Sequence, residues 1–148
     1  MISNVPAPVF VSVFATVFRV VFRLIPMLLI AGCGGGAGGV SIAERVAHLP
    51  APPAEIVPGE RIFTSNCAGC HGIRAAGSDR GPTFLSKIYA PDHHGDVAFE
   101  RAPQQGVRAH HWSFGDMPKI SGVTPEDVRE IIRYIRWLQT EAVSAGIY

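Results

Sequence analysis

Cysteine is scarce in this chain, with three among 148 residues. Two of them, Cys67 and Cys70, leave no second CxxC pair, so a four-thiolate zinc site is excluded. A surplus of one charge is also missing: 13 Lys+Arg stand against 12 Asp+Glu, a formal charge of +1. That balance gives no basic footprint for nucleic acid, which we exclude as a partner. No alternating strand pattern occurs between residues 59 and 148, so the βαβ frame of a thiol-redox domain is absent. No internal repeat is visible, and the length suits one domain and hardly two.

Long apolar runs are confined to the N-terminus. Residues 5–30 are almost wholly apolar, broken by Pro6, Pro8, Arg19, Arg23 and Pro26. A charged start, an apolar stretch and the small residues of LIPMLLIAGC (24–33) make an export signal. The IAGC at its end resembles the lipobox of bacterial lipoproteins. That resemblance implies that Cys33 is lipidated and becomes the first residue of the mature chain. An uncleaved membrane anchor over residues 9–30, or an ordinary cleaved signal, are the alternatives. Each sends residues 34–148 to the periplasmic side, and the first two tether them to the membrane. Without residues 1–32, 11 Lys+Arg face 12 Asp+Glu, a formal charge of −1. In an oxidising compartment a free CxxC pair would tend to close into a disulfide.

Residues 33–57 run from a glycine cluster to a proline cluster and read as a flexible tether. Within it SIAERVAHL (41–49) could form one or two helical turns, but a spacer without fixed fold is the favoured reading. The folded domain is expected over residues 58–148. GERIFTSN (59–66) reads as a short helix with Ile62 and Phe63 on one side. Residues 72–116 look like loops with short helices near 85–89 and 95–106. The clearest element begins at Thr124, a good N-cap, with Pro125 at the first helical position and Asp127 in the first turn. Val128, Ile131, Ile132, Ile135 and Leu138 then recur at spacings of three and four, one apolar helical face. Arg129, Arg133 and Arg136 occupy the other faces, and Gly146 marks an end.

CAGCH (67–71) carries the chemistry. CxxC alone suits a dithiol or half a zinc site; CxxCH reads as attachment of a c-type haem. The two thiols add across the haem vinyl groups, and the next residue, His71, lies under the iron as proximal ligand. From this composition the motif arises by chance about twice in a thousand such chains, so it is specific. A six-coordinate iron needs a distal ligand. Beyond the export segment the chain has one methionine, Met117, in FGDMPKI (114–120). Packing under the last helix is its bland alternative. His/Met ligation raises the reduction potential and suits an electron carrier. The Pro82 carbonyl in RGPTF (80–84) is a candidate acceptor for the other N–H of His71.

GERIFTSNCAGCHG, GPTF, FGDMPKI and VREIIRYIRWLQ together resemble the class I cytochromes c over roughly residues 58–141. The resemblance implies an all-α fold of short helices around one covalently bound haem, with the N- and C-terminal helices crossing. It matches Gly59 and Phe63 on the first helix with Ile131 and Tyr134 on the last. The family's Gly-Pro-x-Leu segment is matched at Gly81 and Pro82, but Phe84 replaces the leucine.

Two histidine pairs stand outside this scheme. His110 or His111 could replace Met117 as distal ligand. His93, His94, His110 and His111, with nearby Asp residues, could instead bind zinc or copper, although neighbouring histidines tend to point apart. Loop caps or propionate partners are the bland readings. Trp112 is a candidate for the haem edge, its indole N–H donating to a propionate, with a core tryptophan as the alternative. The expected function is electron transfer through a single haem c, as a membrane-tethered carrier or a subunit of a redox complex. The expected partners are redox proteins of unspecified identity. A peroxidase-like or gas-binding haem with a labile distal ligand is the alternative function.

Overall fold

The structure, a computed structural model, describes residues 39–148. The expected export signal and Cys33 lie outside the described residues. Among the described residues there are five α-helices: α1 (Ile42–Ala47), α2 (Val57–Asn66), α3 (Ala68–His71), α4 (Asp96–Gln105) and α5 (Pro125–Ser144). Two 3₁₀ turns, Ile73–Ala75 and Lys87–Tyr89, lie between them. Among the described residues there is no strand, only an isolated bridge between Val107 and Met117. The fold is all-α, as the sequence leads one to expect. No described helix is long and apolar enough to cross a membrane.

Helix α5 forms for the reasons legible in its sequence. Thr124 Oγ1 accepts from Asp127 N at 3.1 Å, and Asp127 Oδ2 accepts from Thr124 N at 2.9 Å, a reciprocal cap. Val128, Ile131, Ile132, Ile135 and Leu138 are all buried. Helix α2 crosses α5 at Gly59. A Cβ there would stand 2.1 Å from the Glu130 carbonyl oxygen and 3.0 Å from Tyr134 Cβ, so only glycine permits this approach. One turn on, fully buried Phe63 packs on Tyr134 with ring centroids 5.6 Å apart.

The stretch read as a tether is in part built into the domain. Ser41 caps α1 reciprocally with Glu44. Val46 and Leu49 are buried and join the core cluster with Phe63, Tyr134 and Leu138. Arg74 donates to Val46 O at 3.0 Å, to Leu49 O at 2.9 Å and to Pro50 O. Arg45 donates to the Gly146 and Ile147 carbonyls beyond α5. Residues 41–50 are thus held both by the turn after His71 and by the carbonyls beyond α5, contacts that composition alone did not lead one to expect. The cause is long-range: the Arg74 guanidinium satisfies carbonyls at and just beyond the end of the short helix, and Arg45 reaches carbonyls at the far end of the chain.

Candidate functional site

Cys67 ends α2 and begins α3, its N–H donating to Phe63 O at 2.8 Å. Cys70 N and His71 N both donate back to Cys67 O, at 3.1 and 2.9 Å. One helical turn therefore presents both thiols and the imidazole together. Gly72, with φ of +75°, turns the chain away, and Gly77 N donates to His71 O at 2.7 Å. The returning loop passes so close that a Cβ on Gly81 would meet Cys70 O at 2.9 Å. That approach brings Pro82 O to 3.0 Å from His71 Nδ1. A carbonyl can only accept, so Nδ1 carries the proton and Nε2 keeps its lone pair.

His71 is 8% exposed, and burial lowers its pKa, with the Pro82 bond opposing. The ring stays neutral, the state a metal requires. Burial pushes the Cys67 thiol up to about 11, with Cys70 adding in the same direction. Reactive dithiols work the opposite way, through thiols shifted to about 7 or below. Cys67 is therefore not activated as the nucleophile of a redox dithiol.

Met117 is held by its backbone. Val107 N donates to Met117 O at 3.0 Å, and Met117 N to Val107 O at 2.9 Å. Ala109 N donates to Asp116 Oδ1 at 2.8 Å, and Ile120 N to Pro103 O at 2.8 Å. The methionine loop is thereby fastened to the end of α4. Cys67, Cys70, His71 and Met117 all line one cavity of about 470 Å³, within the range of small-molecule and cofactor sites. Its walls are chiefly apolar, with Val128, Ile131, Ile132 and Ile135 supplied by α5. Phe84 also lines it, 4.2 Å from the His71 ring between centroids. The aromatic at this position makes edge contacts to Tyr89 and Phe99, so the replaced leucine is answered by an aromatic cluster.

The remaining expected residues fall as follows. Trp112 lines the cavity, and its indole N–H donates to Tyr89 Oη at 3.2 Å. His94, His110 and His111 also line the cavity, whereas His93 does not. Two residues escape a sequence reading. Arg136, assigned there to a polar face, donates to Tyr89 O and His94 O at 2.7 Å and to Asp96 Oδ1 at 2.8 Å. Gln139, 5% exposed, donates to Phe84 O and Tyr89 O, both at 2.9 Å. Together they fix the 84–96 wall. The only hint was a glutamine interrupting the apolar register of α5.

The sequence model of the cytochrome c family matches residues 56–139, over half of the chain. The chain belongs to the cytochrome c family. It is also 30% identical over 96 residues to the cbb3-type cytochrome c oxidase subunit CcoP of Rubrivivax gelatinosus. That match covers 64% of this chain and 29% of the CcoP subunit, so the chain spans under a third of that relative. No solved structure matches it. The family's cofactor is a covalently bound haem c with iron, and its activity is haem-based electron transfer. The residues present fit such a group: an apolar cavity, two adjacent thiols, a neutral buried imidazole and a thioether. When bound, the haem supplies a metal that changes valence by one electron.

Proposed function

We propose that Cys67 and Cys70 attach the haem as thioethers, and that His71 Nε2 and Met117 Sδ are its axial ligands. The observation that carries this reading is the convergence of all four side chains on one apolar cavity. The Pro82 carbonyl on Nδ1 supports His71 as ligand by fixing its tautomer and raising its basicity. The paired backbone of Met117 holds the thioether in place without help from the metal. Such a chain makes and breaks no substrate bonds. Its residues hold two ligands still and keep water from the metal, which serves transfer of single electrons.

His110 and His111 line the same cavity and support a second reading, with imidazole in the distal place. The oxidised spectrum separates the two. A thioether–iron charge-transfer band should be present in the wild type and in His110→Ala and His111→Ala, and absent in Met117→Ala. A band that survives Met117→Ala removes Met117 as ligand.

The likeness to CcoP supports a role as the electron-transfer subunit of an oxidoreductase complex. Residues 1–32 would export the chain, and Cys33 would carry the lipid. The tether then shortens to the residues between Cys33 and Ser41, before the helix α1. Cys33→Ser should move the holoprotein from the membrane fraction to the soluble fraction. Unchanged membrane association would exclude lipid anchoring at that residue.

A further inference from the structure

His93, His94 and His111 converge on one point, from two loops 18 residues apart in sequence. Each offers one ring nitrogen, and the three nitrogens lie within 4.8 Å of one another. His93 Nε2 and His111 Nε2 are 3.5 Å apart. That separation is long for a hydrogen bond. Two nitrogens each about 2.0–2.1 Å from one metal ion stand roughly 2.9–3.6 Å apart at angles of about 90–120°. The His93–His111 spacing falls inside that window, and the third nitrogen, from His94, lies within 4.8 Å of both.

Neighbouring histidines usually diverge, but here a turn prevents it. His93 N and His94 N both donate to Ala90 O, at 3.0 and 2.9 Å, and the two rings lie 4.9 Å apart. His94 Nδ1 donates to Ile88 O at 2.6 Å, which leaves Nε2 as its free donor atom. Arg136 on His94 O fixes the same turn from α5. The loop bearing His111 is closed by the Asp116 bond to Ala109 N and by the Val107–Met117 bridge. The His110 ring stands 4.3 Å from that of His111 and 5.9 Å from that of His94. His110 Nδ1 is engaged by Arg108 O. Of these rings, only that of His94 is partly buried, and none forms an ion pair with a carboxylate. Three imidazoles with one position open to water are a donor set for a borderline first-row ion.

We infer that His93, His94 and His111 form a second metal site, for Cu²⁺ ahead of Zn²⁺, at the rim of the cavity. Imidazole donors suit both ions, and the general affinity order places copper above zinc. The site adjoins the proposed haem cavity, since His94 and His111 line it and His93 does not, and it uses neither of the proposed axial ligands, His71 and Met117.

The test uses the haem-loaded protein, titrated with Cu²⁺ and with Zn²⁺ by calorimetry. Copper is also followed by electron paramagnetic resonance for nitrogen ligation. We expect about one ion per chain and nitrogen-coordinated copper. His93→Ala should weaken binding at least tenfold, the scale on which even supporting residues of metal sites act. The haem spectrum of that variant should match the wild type. His48→Ala, at a histidine remote in sequence, should bind as the wild type does. Failure of both ions to bind stoichiometrically, or unchanged binding in His93→Ala, overturns the inference. Loss of the native distal-ligand band in His111→Ala also overturns it, since that assigns His111 to the haem iron.

Discussion

The helix crossing at Gly59 allows a sharp test of the fold that holds the site. In Gly59→Ala the new Cβ would lie 2.1 Å from Glu130 O and 2.8 Å from its carbonyl carbon. Both are backbone atoms, so no rotamer change relieves the overlap. The helices must part by about an ångström where Phe63 and Tyr134 are packed to near-zero exposure. Overpacking of this kind costs about 1–3 kcal/mol, and a clash with backbone belongs at the upper end. The better helix propensity of alanine returns at most about 1 kcal/mol. A net loss of about 2 kcal/mol, at 4–8 °C per kcal/mol for a small domain, lowers the melting point by roughly 8–16 °C. The assay is thermal unfolding of the haem-loaded protein by circular dichroism. Gly69→Ala is the matched comparison, because its Cβ would meet nothing nearer than an Arg80 nitrogen at 3.9 Å. That variant should stay within about 0.5 kcal/mol of wild type. If Gly59→Ala melts at or above the wild-type temperature, the close crossing and the reasoning built on it are wrong.

Other outcomes follow from the same contacts. Arg74→Ala removes the donor shared by the Val46, Leu49 and Pro50 carbonyls, so hydrogen exchange over residues 41–50 should accelerate by an order of magnitude or more, corresponding to about 1.5–3 kcal/mol for charged hydrogen bonds. Unchanged protection would favour the tether reading. Burial, with the Glu60 charge adding to it, pushes the Tyr134 hydroxyl from 10.0 up to about 12. The unfolded chain therefore loses this proton first, and stability present below pH 10.0 should decline as pH rises to about 12. Tyr134→Phe should flatten that decline in part, since Tyr89 and Tyr148 are shifted the same way; a decline as steep as wild type would contradict the burial argument.

Much of the domain was legible because its signals are local. The Thr124 cap, the spacing from Val128 to Leu138 and the CAGCH turn each lie within a few residues. The crossing at Gly59, Phe63, Ile131 and Tyr134 was legible only through family resemblance. What stayed hidden depends on residues far apart in the chain. Nothing near Ser41 shows that Arg74 will hold its carbonyls or that Arg45 will reach the C-terminus. The glycines and prolines around that helix match a linker in composition, and composition does not register a distant donor. Arg136 is hidden for the same reason. Its charge predicts a solvated face, yet its donors are spent on carbonyls more than 40 residues upstream. The histidine pairs were visible as pairs, but their convergence depends on a turn at Ala90 and on the loop closed by Asp116.

The central claim is that this chain passes single electrons through one covalent haem held between His71 and Met117. A potentiometric titration of the haem-loaded wild type and Met117→Ala addresses it most directly. The account predicts one one-electron wave in the wild type, displaced to lower potential in Met117→Ala, because thioether ligation raises the potential. An unchanged midpoint in the variant, or more than one wave in the wild type, would contradict it.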